Sequence, residues 1–240
     1  MDNLNYNQEQ HSIEWYRDRL GRITGSKVGV LMQKGRSKAD AFSQTAKTYI
    51  YQIAGERALS PDIVGDDKML QFYLDQTTSQ SKAMRFGSEQ EPNARALYAE
   101  INAEKGYKVS EVGLCHHKTL KNLASSPDGI VNYVDENSLE ILGCLEIKCP
   151  GLAAYTQYVA EIYDNASLLA VQKDYFYQCQ CHMACTGAMF CDFIVYCPFV
   201  ENPIHIVRIT RDEEVIAEIE ERVRFAEEII NDNYQQLKRA

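Results

Sequence analysis

The chain has 240 residues, 45% apolar and 25% charged, which suits one globular α/β domain with a substantial core. No apolar run approaches the roughly 20 residues a bilayer crossing needs, and the polar stretch Met1 to Ser12 lacks the apolar centre of an export signal. A cytoplasmic protein is expected, with no membrane partner. The net charge of −9 excludes a polycation that binds nucleic acid by bulk charge, but not a local basic surface.

Helix patterns dominate the first hundred residues. Ile13 to Leu20 reads as a short helix, and Thr24 or Ser26 can cap a second one through Val30 and Leu31. Residues 41–57 and 83–104 carry longer helical patterns. Strand-like segments then run over Tyr107 to Leu114, Gly129 to Val134 and Leu139 to Ile147, broken by turn formers such as Pro127-Asp128-Gly129. Helices are expected from about Tyr155 and from Lys173 to Cys185. Strands follow at Phe190 to Tyr196 and Ile204 to Ile209. A closing helix presents Val215, Ile219, Val223, Ala226, Ile230, Tyr234 and Leu237 as an apolar stripe, read as core packing. The order implies an α/β fold with a mixed central β-sheet flanked by helices.

Charge is uneven. Arg17 to Lys47 holds eight basic residues (Lys38 among them) against Asp18 and Asp40, whereas Arg211 to Glu228 holds eight acidic ones against three arginines. Taken alone, both read as solvated faces. All eight cysteines lie after residue 114. Their spacing does not match paired C-x₂-C zinc arrangements, and apolar neighbours around Cys179 to Cys197 favour reduced core thiols over an iron–sulfur cluster.

The strongest chemical pattern is Ser126-Pro127-Asp128-Gly129, followed 18 positions later (146 − 128) by Glu146-Ile147-Lys148. Asp128 sits at a turn entering a strand. Glu146 and Lys148, two apart on the next strand, point to one face. If these strands pair as a hairpin, the two carboxylates and the Ile147 carbonyl form a hard-oxygen site suited to Mg²⁺ or Mn²⁺. Lys148 is then placed to orient a water or stabilise transition-state charge. Glu-x-Lys alone would read as a surface ion pair; together with the Pro-Asp turn in apolar strands it reads as a nuclease centre.

These residues resemble the PD-(D/E)-x-K nuclease superfamily and, more narrowly, the lambda-exonuclease (YqaJ-type) viral recombinase family. Five ordered blocks carry the resemblance: Trp15 to Ser26, Gly87 to Arg95, Ala124 to Gly129, Leu145 to Pro150 and Tyr177 to Met183. The resemblance implies a restriction-endonuclease-like core and a 5′→3′ double-strand DNA exonuclease. Such an enzyme leaves 3′ overhangs for a single-strand annealing protein, in phage-type recombination in a host cytoplasm. It implies a metal site of Asp128, Glu146 and Ile147, with Lys148 catalytic and Glu91 assisting from the preceding helix. It places Gln180 beside the nucleophile or the DNA. Arg19, Ser26 and Ser126 form the pocket for the DNA's 5′-phosphate, and Arg36 lies near the DNA path. A ring-shaped homotrimer threaded by double-stranded DNA is also implied. On this reading 13–60 form a helical phosphate-binding part, 83–200 the catalytic core and 211–240 a closing helix, all within one domain.

The family's namesake carries a further aspartate ten residues before the Pro-Asp aspartate. Here that position is Lys118, preceded by His116 and His117. Either histidine is a candidate second-metal or water contact, or the two form a strand-end pair without catalytic duty. Trp15 either stacks on a base or packs under the arginine pocket. Two alternative functions are an iron–sulfur nuclease with the same core, resting on the cysteines alone, and a DNA-end-binding module that does not hydrolyse.

Overall fold

The computed structural model describes residues 4–37, 40–78 and 81–239; Lys38 and Met1 to Asn3 of the polar N-terminal stretch lie outside them. The centre of the fold follows from alternation. Gly129–Val134 (β5) and Glu140–Lys148 (β6) pair antiparallel, with Gly129 opposite Leu145. Lys108–Ser110 (β2) flanks β5, and Phe190–Tyr196 (β7) and Ile204–Thr210 (β8) extend the other side. The five-stranded order is β2-β5-β6-β7-β8, in which only β6 and β7 run parallel. The expected mixed sheet flanked by helices is therefore present.

A parallel step requires a long crossover. Between β6 and β7 it consists of Leu152–Glu161 (α7), Asn165–Val171 (α8) and Lys173–Thr186 (α9). Helix α9 is packed on nearly every side: Cys179, Gln180, Cys181, His182, Met183 and Cys185 are all buried. A helix enclosed all round has no polar face to offer water, and cysteine is a small side chain that fits such close quarters. All eight cysteines are free thiols and seven are buried, in line with the core reading.

Ile13–Arg19 (α1) is capped by Ser12, whose hydroxyl accepts from the Trp15 amide. Ile23–Thr24 (β1) leads into Gly25–Leu31 (α2), and Gln44–Arg57 (α3) follows. Pro61–Gly65 (α4) and Asp67–Thr77 (α5), capped by Ser60 and Asp66, form two helices that the apolar periodicity leaves unmarked. Lys82–Ile101 (α6) carries Pro92 inside it and packs Ala94 and Tyr98 against one face of the main sheet. The expected strand 107–114 is shorter: β2 ends at Ser110, and Cys115–His116 (β3) belongs to a second sheet. There Leu123–Ser125 (β4) lies between β3 and β1, parallel to β1, with Thr24 opposite Ala124. The closing helix, Glu213–Leu237 (α10), buries Ile216, Ile219, Val223, Ala226 and Ile230, while Leu237 is exposed. Its stripe thus starts one residue later than the sequence pattern and fades at the end.

Candidate functional site

The hairpin brings the Pro-Asp turn to the end of β6. The Asp128 amide donates to the Leu145 carbonyl at 3.0 Å, and Asp128 Oδ2 accepts from the Ile147 amide at 2.6 Å. Asp128 is thereby fixed between the residues that flank Glu146. Glu146 is fully buried, and its Oε1 pairs with the Lys148 ammonium. Its Oε2 accepts from Gln178 Nε2 at 2.9 Å and stands 2.5 Å from His182 Nε2. Lys148 Nζ also lies 4.8 Å from the centre of the Tyr175 ring.

Helix α6 closes the corner. Arg95 Nε donates to the Asp128 carbonyl at 2.7 Å, and its guanidinium also pairs with Glu111. One turn earlier, Glu91 is half-buried and feels both Lys148 and Glu146. Burial raises its pKa, opposed by Lys148 and reinforced by Glu146. Asp128 is raised more strongly, first by burial and then by the Glu146 and Glu91 charges. For Glu146 burial works in the same direction, but Lys148 and His182 outweigh it and hold the acid below its ordinary value. Burial works against the Lys148 ammonium; the Glu146 and Asp128 carboxylates overcome it and hold the amine protonated.

Asp128 and Glu91, both made costlier to ionise by the neighbouring Glu146 charge, and a buried Glu146 oxygen paired with the Lys148 ammonium suit a divalent cation of the hard-oxygen class. Among the described residues no three His, Cys, Asp or Glu side chains stand gathered as a ready-made ion cage. The fit rests on Asp128, Glu146 and the Ile147 carbonyl beside one lysine.

A second cluster adjoins the first through the turn itself. Trp15 Nε1 donates to Ser126 Oγ at 2.9 Å, and the Arg19 guanidinium lies over the Trp15 ring, 4.2 Å from its centre. One Arg19 nitrogen stands 3.4 Å from Ser26 Oγ. Pairing of β1 with β4, with Thr24 opposite Ala124, sets side by side the segments that lead to Ser26 and Ser126. Trp15 is buried, so it packs beneath the arginine rather than presenting a free face for a base. Arg19, Ser26 and Ser126 are therefore gathered. Arg36 is not: it is exposed and lines a separate surface cavity of about 540 Å³ with Gln33, Lys34, Asp40 and Lys47. Arg17 pairs with Asp67, and Arg22 Nη2 with Asp18 at 3.2 Å, so part of the basic stretch is spent on internal contacts.

Gln180 requires a correction. It is fully buried, donates to the Thr210 carbonyl at 2.9 Å and accepts from the Asp212 amide at 3.0 Å, which ties β8 to the start of α10. The glutamine that meets the acid is Gln178. Two residues on a helix are about 200° apart, so the two side chains cannot share a face. The residue one turn after Gln178 is His182, which does share it. His116 stands 3.0 Å from Asp18, and His117 3.3 Å from Glu220, so both histidines are engaged elsewhere. Arg95, Gln178, His182 and Ser125 are site residues to which the sequence reading gave no role. The i, i+4 spacing of Gln178 and His182 was available, but nothing in the sequence marked which face of α9 meets Glu146.

A mixed sheet with helices on both faces is a fold shared with solved exonucleases. The model of the YqaJ-like viral recombinase domain matches residues 14–189, and the chain belongs to that family. Among solved structures it is similar to the alkaline exonuclease LHK-Exo from Laribacter hongkongensis, at 30% identity and a TM-score of 0.72, covering 95% of this chain and 97% of that one. LHK-Exo in complex with dAMP matches with the same figures. A phage related exonuclease from Haemophilus somnus 129PT shares the fold at 16% identity and a TM-score of 0.57, over 90% and 94% of the two chains. No curated protein matches. Among the described residues no helix is long and apolar enough to cross a membrane.

Proposed function

We propose that the chain is a metal-dependent 5′→3′ exonuclease of double-stranded DNA, leaving 3′ single-stranded ends for an annealing protein in phage-type recombination. The observation that carries this reading is the meeting of Asp128, Glu146 and Lys148 at one strand end, with Asp128 bonded to the amide between the other two. Family membership and the likeness to an alkaline exonuclease support the reaction class.

Asp128, Glu146 and the Ile147 carbonyl would hold Mg²⁺ (or Mn²⁺), with Glu91 contributing from α6. A bound Mg²⁺ supplies Lewis acidity at the scissile phosphate and makes an attacking water more acidic. Lys148, held protonated by its two acids, neutralises charge that develops on the phosphate. Arg95 keeps the Pro-Asp turn in place through the Asp128 carbonyl.

Direction comes from the second cluster. A guanidinium forks onto phosphate oxygens, and the Ser26 and Ser126 hydroxyls add donors beside it. Ser126 and Asp128 are two residues apart, which is at most about 7 Å of extended chain. A terminal phosphate held at Ser126 therefore sets the next linkage against the acid corner, which suits removal of nucleotides one at a time from a 5′ end. A ring-shaped homotrimer around the duplex completes the proposal.

The test is digestion of linear duplexes labelled at either the 5′ or the 3′ end, with Mg²⁺ or with EDTA. Release of the 5′ label first, only with Mg²⁺, is expected. Release of the 3′ label first overturns the polarity, and digestion in EDTA overturns the metal.

A further inference from the structure

Glu146 is held by more than Lys148. Its Oε2 accepts from Gln178 and faces His182 Nε2 at 2.5 Å, and His182 Nδ1 lies 2.6 Å from Ser125 Oγ. Ser125, His182 and Glu146 are each at most 1% exposed. An ionised carboxylate only accepts, so Nε2 must carry the proton. The other ring nitrogen, Nδ1, shares a hydrogen bond with the Ser125 hydroxyl. The three groups thus form one buried hydrogen-bonded chain of serine, histidine and acid.

Two donors on Oε2 stop the carboxylate from turning and direct Oε1 toward the Lys148 ammonium at the strand end. The chain starts under α2. A Cβ at Gly25 would stand 2.1 Å from Ser125 Oγ and 3.2 Å from its Cβ, so only glycine lets Ser125 keep the rotamer that reaches His182. Gly25 precedes Ser26 of the phosphate pocket, so the two clusters meet at this point.

We propose that His182 is a positioning residue for Glu146, itself oriented by Ser125, and that this buried chain holds Oε1, the oxygen on the Lys148 side, toward the divalent cation. The inference rests on the metal-nuclease reading above. Ligating groups commonly depend on such outer partners, whose loss costs roughly 10- to 100-fold in metal affinity or activity. The plain alternative is that His182 merely satisfies a buried acid and contributes to folding alone.

The experiment compares His182→Leu, His182→Gln, Ser125→Ala and Gly25→Ala in the full chain. It measures Mn²⁺ affinity by calorimetry, duplex cleavage at saturating DNA, KM for DNA, and melting. His182→Leu removes the donor at similar volume; it should weaken Mn²⁺ binding and slow cleavage by roughly 10- to 100-fold while leaving KM for DNA unchanged. His182→Gln restores a donor to Oε2 and should recover most of both. Gly25→Ala never touches the acid, yet it should reproduce part of the loss by displacing Ser125, as should Ser125→Ala. His182→Leu with wild-type Mn²⁺ affinity and cleavage overturns the proposal. If His182→Leu does not fold, silent Ser125→Ala and Gly25→Ala variants overturn it instead. Should the wild-type protein bind no Mn²⁺ and cut no DNA, the nuclease reading falls and this inference with it. A wild type that binds and cuts beside silent variants removes the inference alone.

Discussion

Two buried acids stand on neighbouring strands of the main sheet, on opposite faces, and they are finished differently. Asp192 on β7 lies opposite Leu145, one step from Glu146 on β6. Its Oδ1 accepts from Arg208 Nε at 2.9 Å, and its Oδ2 from Arg208 Nη2 at 2.9 Å and the Tyr98 hydroxyl at 2.6 Å. Every oxygen is closed. Glu146 has two donors on Oε2, whereas Oε1 rests on the single Lys148 ammonium. Buried polar groups are normally paired, so an acid with every oxygen bonded within the framework reads as structural, and one whose second oxygen rests on a lone ammonium at a strand end reads as a place for a ligand. The two carboxylates are equally hidden from water; their partners separate them.

The largest effect that tests this contrast is on chemistry. Lys148→Ala and Glu146→Gln should each lower cleavage by roughly 10³-fold or more, at about 1.4 kcal/mol of barrier per tenfold. Both proteins should remain folded by circular dichroism, because the site corner is also tied by Asp128 and Arg95. Near-normal cleavage by either variant removes Glu146 from the functional side of the comparison.

Asp192→Asn should do the reverse. It strips the charge from a bidentate pair and sets an amide against the guanidinium. Breaking a buried pair typically costs about 3–5 kcal/mol. The Arg208 side chain is 43% exposed and can turn toward water, so about 2–3 kcal/mol is expected here. Urea unfolding should show this loss at unchanged slope. Cleavage at 25 °C should stay within about twofold of wild type. A large drop in activity without a drop in stability would mean that Asp192 also belongs to the site.

The sequence carried the Glu146 side of this contrast and not the Asp192 side, for physical reasons. Asp128 follows Pro127 at a strand entry, and Glu146 and Lys148 share a face because strands alternate, so local periodicity alone brings the three near one another. The acid-and-lysine corner was therefore legible, as were β5 to β8 and the long helices. Asp192 depends on Arg208 from the next strand and on Tyr98 from a helix 94 positions earlier, pairings that no local pattern encodes. The same holds for β1, β3 and β4, which are two or three residues long and too short to alternate visibly. Their pairing sets side by side the segments that lead to Ser26 and Ser126. Gln180 was misplaced because a motif fixes residue order along a helix but not the rotation of that helix about its axis.

That rotation can be tested on α9 itself. Gln178→Ala removes one donor from Glu146 and should slow cleavage by roughly tenfold, with a melting temperature near that of wild type. Gln180→Ala removes a donor and an acceptor shared with Thr210 and Asp212. It should cost about 1–3 kcal/mol in unfolding and leave cleavage intact. If the two profiles were exchanged, the face of α9 that meets the acid would be the other one.

The smallest expected effect is the finest probe of whether the two faces act independently. Tyr98→Phe keeps the ring that packs on the sheet and removes only the hydroxyl bonded to Asp192 Oδ2. Hydrogen bonds to charged groups contribute about 1.5–3 kcal/mol net, and Arg208 still closes both oxygens. A loss near the low end, about 1–2 kcal/mol, should appear in urea unfolding. Because Tyr98 and Asp192 face α6 and Glu146 faces α9, neither Mn²⁺ affinity nor cleavage rate should move. A tenfold fall in either, from a change that only opens one oxygen of Asp192, would show that Asp192 supports Glu146 through the strand pair. The division into framework and functional acid would then give way to a single coupled network across the sheet.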